Sequence, residues 1–167
     1  ARAGLDAKRL RERNPRLVVA SLTGYGQTGP YAAQAGHDLN YCAYAGVINE
    51  CGTGAAQMPA IPNLQIADLA GGALTSALAI VAAVYGARQS GIGATLDAAM
   101  LDGTLALQTM SLALVRSGTP ARRGGAMLNG GLPNYAVYRC ADGRDLALGA
   151  LEPKFFERFC KAVEHPE

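Results

Sequence analysis

The hydrophobic and polar positions along the chain predict a mixed α/β protein. An unbroken apolar and β-branched run at 17–22 is typical of a parallel strand buried on both faces, and 94–98 alternates like a second strand. Two short runs, 135–139 and 146–149, flank an Ala-Asp-Gly turn and predict a β-hairpin. Helical spacing and composition predict five helices, at 7–13, 37–47, 68–89, 100–116 and 153–163.

The longest predicted helix carries the most apolar stretch of the chain, Leu69–Tyr85. Small residues make up much of this stretch, and it is shorter than the roughly 20 apolar residues that span a bilayer. We therefore expect a buried core helix and no membrane segment.

The order of these elements predicts two domains. We expect the C-terminal part of a large α/β domain at 1–118, a Gly-rich linker at 119–134 and the start of a small α+β domain at 135–167. The chain begins at Ala1 without Met and ends just past a predicted helix. This pattern is typical of the middle of a longer protein.

Composition narrows the classes of function. Half of the 167 residues are hydrophobic and 17% are charged, which favours a packed core and excludes a disordered chain. A net charge of +2 and the absence of Trp argue against a nucleic-acid partner. Four cysteines without a Cys-x-x-Cys pair, and only two histidines, predict no metal site. Reduced cysteines and the lack of a signal peptide predict a cytoplasmic protein.

A Gly-x-Gly-x-x-Gly motif at 24–29 follows the first predicted strand, as it does in dinucleotide-binding sites. Glu50 stands where such a site has its ribose-binding acid. Gly36, however, interrupts any helix that Pro30 could begin, and no second hydrophobic strand leads to Glu50. The motif therefore favours a tight turn that brings backbone close to a neighbour.

Three ionisable residues stand where predicted helices begin: His37, Asp68 and Glu152. Helix N-termini favour negative charge and stabilise oxyanions, so one interpretation is acid/base chemistry beside a carbonyl. A structural histidine and two helix N-caps are the alternatives. Gly71–Gly72 predicts room for a ligand beside the first turn after Asp68. Tyr41, one turn after His37, is placed to hydrogen-bond to that histidine or to a ligand.

Several segments resemble the class III CoA-transferase family (CaiB/BaiF) and, within it, the α-methylacyl-CoA racemases. The matching segments lie in order along nearly the whole chain, at 14–18, 22–30, 35–41, 66–72, 91–100, 138–143 and 149–155. The resemblance implies part of the fold of that family: a Rossmann-like large domain without its N-terminal portion, then the start of the small domain. It also implies an interlocked homodimer.

The resemblance implies acyl-CoA chemistry centred on Asp68. In the racemases the residues at the positions of His37 and Asp68 are the acid/base pair that moves an α-proton through an enolate. Glu152 then supports His37, and Tyr41 assists. In the transferases the aspartate is instead the nucleophile that passes CoA between carboxylic acids. Neither chemistry implies a cofactor beyond the CoA moiety of the substrate.

The resemblance further implies CoA contacts at four positions: Arg2, Leu22, Gly36 and Asp38. Arg2 matches a family arginine near the CoA phosphates. Three hypotheses therefore stand: an acyl-CoA racemase, a CoA-transferase, and a dimerising or inactive piece that lacks part of its CoA site.

Overall fold

The computed structural model describes residues 6–119 and 122–165, and it confirms the predicted mixed α/β class. The elements in chain order are α1 (Ala7–Arg13), β1 (Val19–Thr23), α2 (Asp38–Tyr44), α3 (Val47–Glu50), a π-helical segment (Ala67–Leu74), α4 (Thr75–Ser90), β2 (Thr95–Ala99), α5 (Met100–Leu107), α6 (Thr109–Arg116), β3 (Tyr135–Arg139), β4 (Asp145–Gly149) and α7 (Pro153–Ala162).

The described residues form two compact units. The first takes residues up to 48 together with 61–112, and the second takes 49–60 together with the residues from 113 onward. The second unit thus includes a segment that precedes the long helix in sequence. The predicted domain boundaries at 118 and 134 stay predictions.

The sheet of the first unit consists of β1 and β2 in parallel. Val19 lies opposite Thr95, and Thr23 opposite Ala99. The predicted parallel strand is therefore confirmed, but its burial on both faces is wrong, since Leu22 is 43% exposed. Two strands and the helices packed on them offer too little neighbouring structure to cover every side chain.

The π-helical segment continues directly into α4, so 67–90 forms one long helix, as predicted. Gly91 ends it in the left-handed conformation at φ 75°. The expectation of a buried core helix is wrong, because Leu78 is 73% exposed and only 22% of the most apolar 18-residue window is buried. By length and composition alone this helix would cross a bilayer, a test that core helices of soluble proteins also pass.

Glycines bring the π-helical segment and α5 into close contact. A Cβ on Gly103 would lie 2.7 Å from the carbonyl carbon of Gly71, and a Cβ on Gly71 would lie 2.7 Å from the amide nitrogen of Thr104. The expectation that Gly71–Gly72 leaves room for a ligand is therefore wrong, because α5 occupies that space. The predicted helix at 100–116 is also interrupted, at Gln108.

The second unit contains the predicted hairpin and the final helix. β3 and β4 pair antiparallel, with Tyr135 opposite Gly149, and Gly143 takes φ 82° in the turn. After β4, the Asn134 side-chain amide donates to the Ala150 carbonyl at 3.0 Å. This bond fixes the strand end that leads into α7.

Candidate functional site

The side chain of Asp38 joins the start of α2 to the start of the long helix. Its Oδ1 accepts hydrogen bonds from the N–H groups of Ala67 at 2.6 Å and Asp68 at 3.0 Å. Its Oδ2 accepts from the Cys42 thiol at 3.5 Å. The first N–H groups of a helix have no acceptor within the helix, and a carboxylate there also suits the helix dipole. Asp38, and not Asp68, is therefore the capping side chain, which corrects the N-cap alternative for Asp68.

His37 precedes α2 in a fixed backbone turn while its side chain is exposed. The backbone N–H of His37 donates to the Asn40 side-chain oxygen at 3.0 Å, and the His37 carbonyl accepts from the backbone N–H of Asn40 at 2.9 Å. Since Asp38 adjoins His37 and bonds the Asp68 amide, covalent geometry holds the Cα atoms of His37 and Asp68 within roughly 12 Å of each other. The structure thus brings the two predicted acid/base residues into one neighbourhood.

Tyr41 lies in the core beneath this turn, only 6% exposed. Its hydroxyl donates to the Gly36 carbonyl at 2.6 Å, rather than to His37 as one alternative held. Burial, then the nearby Tyr25 and Asp68, raise the pKa of Tyr41 above its usual 10.0. The hydroxyl therefore stays protonated at neutral pH and remains a hydrogen-bond donor.

The Gly-x-Gly-x-x-Gly motif forms part of the wall around Tyr41. A Cβ on Gly24 would lie 2.5 Å from Cζ of Tyr41, so only glycine leaves space for the ring. Gly26 and Gly29 take φ values of 84° and 88°. Residues 30–37 form turns and irregular structure rather than a helix that begins at the motif, and the interpretation as a tight turn is confirmed.

Sequence reasoning missed Tyr25, which lies between the first two glycines of that motif. Its ring stands edge-on to Tyr41, with centroids 5.0 Å apart at 80°, and it also contacts Tyr31 and Tyr44. Four tyrosines within 20 residues of sequence were the available signal. They form an aromatic cluster against the turn that carries His37.

The predicted CoA contacts have different surroundings. Leu22 is partly exposed near the carboxyl end of β1, and the Gly36 carbonyl is engaged by Tyr41. The two Asp38 oxygens are occupied by protein donors, as described above. Arg2 lies outside the described residues. Contact of these four positions with CoA stays a prediction.

Glu152 belongs to the second unit. It occupies the N-cap position of α7, with Pro153 at the first helical position, and its exposed side chain makes no capping hydrogen bond. The helix-cap alternative for this side chain is therefore wrong. The support that Glu152 gives to His37 stays a prediction.

Within residues 6–119 and 122–165 no group of three or more His, Cys, Asp or Glu side chains is placed to hold a metal ion. The second unit contains a cavity of about 540 Å³ beside the β3–β4 hairpin, lined by uncharged residues such as Asn129 and Tyr135. This cavity therefore lacks the carboxylate and imidazole groups that lie around Asp38.

The sequence is similar to one protein family and to named enzymes along nearly its whole length. The profile of CoA-transferase family III matches residues 1–167. The chain is 42% identical over 159 residues to an alpha-methylacyl-CoA racemase from Homo sapiens, covering 92% of this chain and 40% of that protein. It is 38% identical over 166 residues to a succinate–glutarate CoA-transferase from Agrobacterium fabrum, covering 98% of this chain and 40% of that protein.

Solved structures show the same fold. A CaiB/BaiF family protein from Brucella suis superposes with a TM-score of 0.79 at 27% identity, covering 99% of this chain and 43% of that one. Rv3272 from Mycobacterium tuberculosis superposes with a TM-score of 0.77 at 30% identity, covering 99% and 42%. The chain thus spans about two fifths of the length of the relatives it matches. It belongs to CoA-transferase family III.

Proposed function

We propose that this chain carries the acid/base centre of an acyl-CoA racemase of the α-methylacyl type. The observation that carries the proposal is the Asp38 carboxylate, which holds the amide of Asp68 next to the turn that presents His37. The 42% identity with the human racemase supports it.

In the proposed reaction one of the two side chains, His37 or Asp68, removes the α-proton of a 2-methylacyl thioester. The C–H electron pair forms a C=C bond while the C=O π pair moves onto the thioester oxygen, which gives an enolate. The other side chain donates a proton to the opposite face of the α-carbon, and the carbonyl re-forms. No electrons are gained or lost, so the reaction needs no group beyond the CoA of its substrate.

The proposed enolate needs a hydrogen-bond donor other than the first amides of the long helix. The first amides of the long helix are already engaged, because Ala67 and Asp68 donate to Asp38. An exposed His37 imidazole is free to face a substrate without desolvating a buried group. Tyr41 supports His37 indirectly, because its hydroxyl donates to the Gly36 carbonyl and so fixes the backbone just before His37.

Hydrogen exchange at the α-carbon tests the racemase. The natural full-length polypeptide is placed in D₂O with a 2-methylacyl-CoA, and the α-proton signal is followed by NMR. We expect washout, and we expect His37→Ala to lower its rate by about 100-fold or more. His165→Ala is the matched control, since His165 lies outside the segments that resemble the family, and this variant should exchange at the wild-type rate. Undiminished exchange in His37→Ala would exclude the role of His37.

The second candidate is a CoA-transferase, favoured by the 38% identity with the succinate–glutarate enzyme. Here a carboxylate oxygen of Asp68 attacks the thioester carbonyl, the C–S bond breaks and CoA thiolate leaves, giving an acyl anhydride on Asp68. The thiolate then attacks the aspartyl carbonyl, which breaks the anhydride C–O bond, releases the first carboxylate and leaves CoA on Asp68 as a thioester. The second carboxylate attacks this thioester and displaces the thiolate, which then attacks the acyl carbonyl of the new anhydride, so that the new acyl-CoA forms and the Asp68 carboxylate is restored. Hydroxylamine added during turnover should convert the activated Asp68 to a hydroxamate. Because –NHOH replaces –OH, mass spectrometry should find this residue about 15 Da heavier. An unmarked Asp68 in an enzyme that transfers CoA would contradict this role.

A further inference from the structure

We propose that Asp38 is a positioning residue: its carboxylate sets the geometry of Asp68 relative to His37 by capping the π-helical segment. This inference rests on the function proposed above. It assigns Asp38 a task different from the CoA contact that the family resemblance implies.

The first argument is the number of protein donors on the carboxylate. Ala67 N–H and Asp68 N–H share one oxygen, and the Cys42 thiol takes the other. An ionised carboxylate has about four acceptor positions, so three are filled from within the protein. The side chain is also only partly exposed. Its surroundings are those of a structural cap and not of a free ligand-binding group.

The second argument is the helix geometry at Asp68. In a π-helix each N–H bonds to the carbonyl five residues back, so more amides at its start lack a helical partner than in an α-helix. The Leu69 amide is satisfied by the Gln65 carbonyl at 3.0 Å. The two amides before it, those of Ala67 and Asp68, bond to Asp38. Without this carboxylate the helix would begin with unsatisfied N–H groups at the residue that carries the chemistry.

The third argument is adjacency. One bond of the cap goes to the amide of Asp68 itself, and His37 is the residue next to Asp38 in sequence. A single side chain therefore ties the Asp68 backbone to the residue that follows His37. Misplacement of a reacting group by about 1 Å costs on the order of 100-fold in rate. Asp38 thus acts through Asp68 and His37 without touching the reacting atoms.

Three variants of the natural full-length polypeptide test this role in the α-proton exchange assay. We expect Asp38→Ala to lower kcat by about 10- to 100-fold with KM nearly unchanged, because alignment is lost and binding is not. Asp38→Asn should stay within about threefold of wild type, since its amide oxygen still accepts from the same two N–H groups. Asp6→Ala is the matched control. Asp6 caps α1 in the same way, through the Lys8 and Arg9 amides, and its removal should leave kcat unchanged.

The outcomes separate the possible roles. An Asp38→Asn variant as slow as Asp38→Ala would overturn the inference, because the charge itself would then be required. A rise in KM in both variants, with kcat retained, would also overturn it and restore Asp38 as a CoA contact. A wild-type enzyme that neither exchanges the α-proton nor transfers CoA would overturn the proposed function and, with it, the catalytic part of this inference.

Amide exchange gives a readout that is independent of activity. Peptides covering 66–69 are followed by hydrogen–deuterium exchange mass spectrometry. Asp38→Ala should speed exchange at the Ala67 and Asp68 amides by at least tenfold, while Asp38→Asn and Asp6→Ala should not. Unchanged exchange in Asp38→Ala would show that the cap does not fix this backbone, whatever the kinetics.

Discussion

At the scale of single residues, one buried tyrosine supports the turn that carries His37. Tyr41 fills the space left by Gly24 and Gly36, and its hydroxyl holds the Gly36 carbonyl. Helical spacing predicted that Tyr41 lies one turn after His37. It could not predict the partner, because the Gly36 carbonyl is brought beneath the ring only when the preceding loop folds back.

The raised pKa of Tyr41 predicts a loss of stability at alkaline pH. The folded chain holds the proton more tightly than the unfolded chain, whose tyrosine titrates near 10.0. The contribution of Tyr41 is therefore complete below pH 10 and falls as the pH rises from there through the folded pKa. We expect Tyr41→Phe to flatten the decline of unfolding free energy as the pH rises above 10.0, measured by urea denaturation. Tyr85→Phe, at an exposed position on α4, should keep the wild-type slope.

At the scale of elements, the crossing of the π-helical segment and α5 holds Asp68 in place. Gly71 and Gly103 bring the two backbones together, and the buried Thr104 donates through Oγ1 to the Met100 carbonyl at 2.7 Å. The sequence shows the glycines but not their partners. Gly71–Gly72 looks like space for a ligand until α5, some 30 residues away in the chain, is packed against it.

This crossing predicts opposite effects for two glycine-to-alanine changes in helices. Gly103→Ala places a Cβ against the Gly71 backbone and should lower the free energy of unfolding by about 1–3 kcal/mol. Gly86→Ala, in α4, meets no atom within 4 Å and should raise it by up to about 1 kcal/mol. Urea denaturation followed by circular dichroism measures both. Equal effects of the two changes would contradict the assignment of a close crossing.

At the scale of the whole chain, α4 has its large side chains on the outside. From the last residue of the π-helical segment through α4, large apolar residues recur at intervals of four, three and four on one face, and their exposures range from 66% to 73%: Leu74, Leu78, Val81 and Tyr85. The buried members of α4, Ser76 and Ala87, are small and lie on the opposite face. Soluble proteins rarely leave such a stripe uncovered. The stripe belongs to a chain that spans about two fifths of the length of its relatives.

The exposed stripe predicts self-association of this chain when it is made alone. Leu78→Glu places a charge within the stripe and should shift sedimentation toward a 17.2 kDa monomer. Gln89→Glu, also exposed on the long helix, changes the net charge equally without removing apolar surface, and should sediment like wild type. If the wild-type chain and Leu78→Glu both sediment as monomers, the stripe does not drive association.

The sequence by itself determined the local elements and the residue types of the site. Periodicity and turn residues predicted the strands, the hairpin and the long helix, because these elements depend on neighbours within a few positions. The motifs around His37 and Asp68 predicted the family, which the profile match confirmed.

Only the tertiary structure decided which residue caps the long helix, why Gly71–Gly72 is glycine and which face of α4 is covered. Each of these depends on contacts between segments far apart in the chain. Asp38 lies 30 residues before Asp68, and Gly103 lies 32 residues after Gly71. Local spacing carries no information about such pairs, because hydrogen bonding and close packing act between whatever groups the folded backbone brings together.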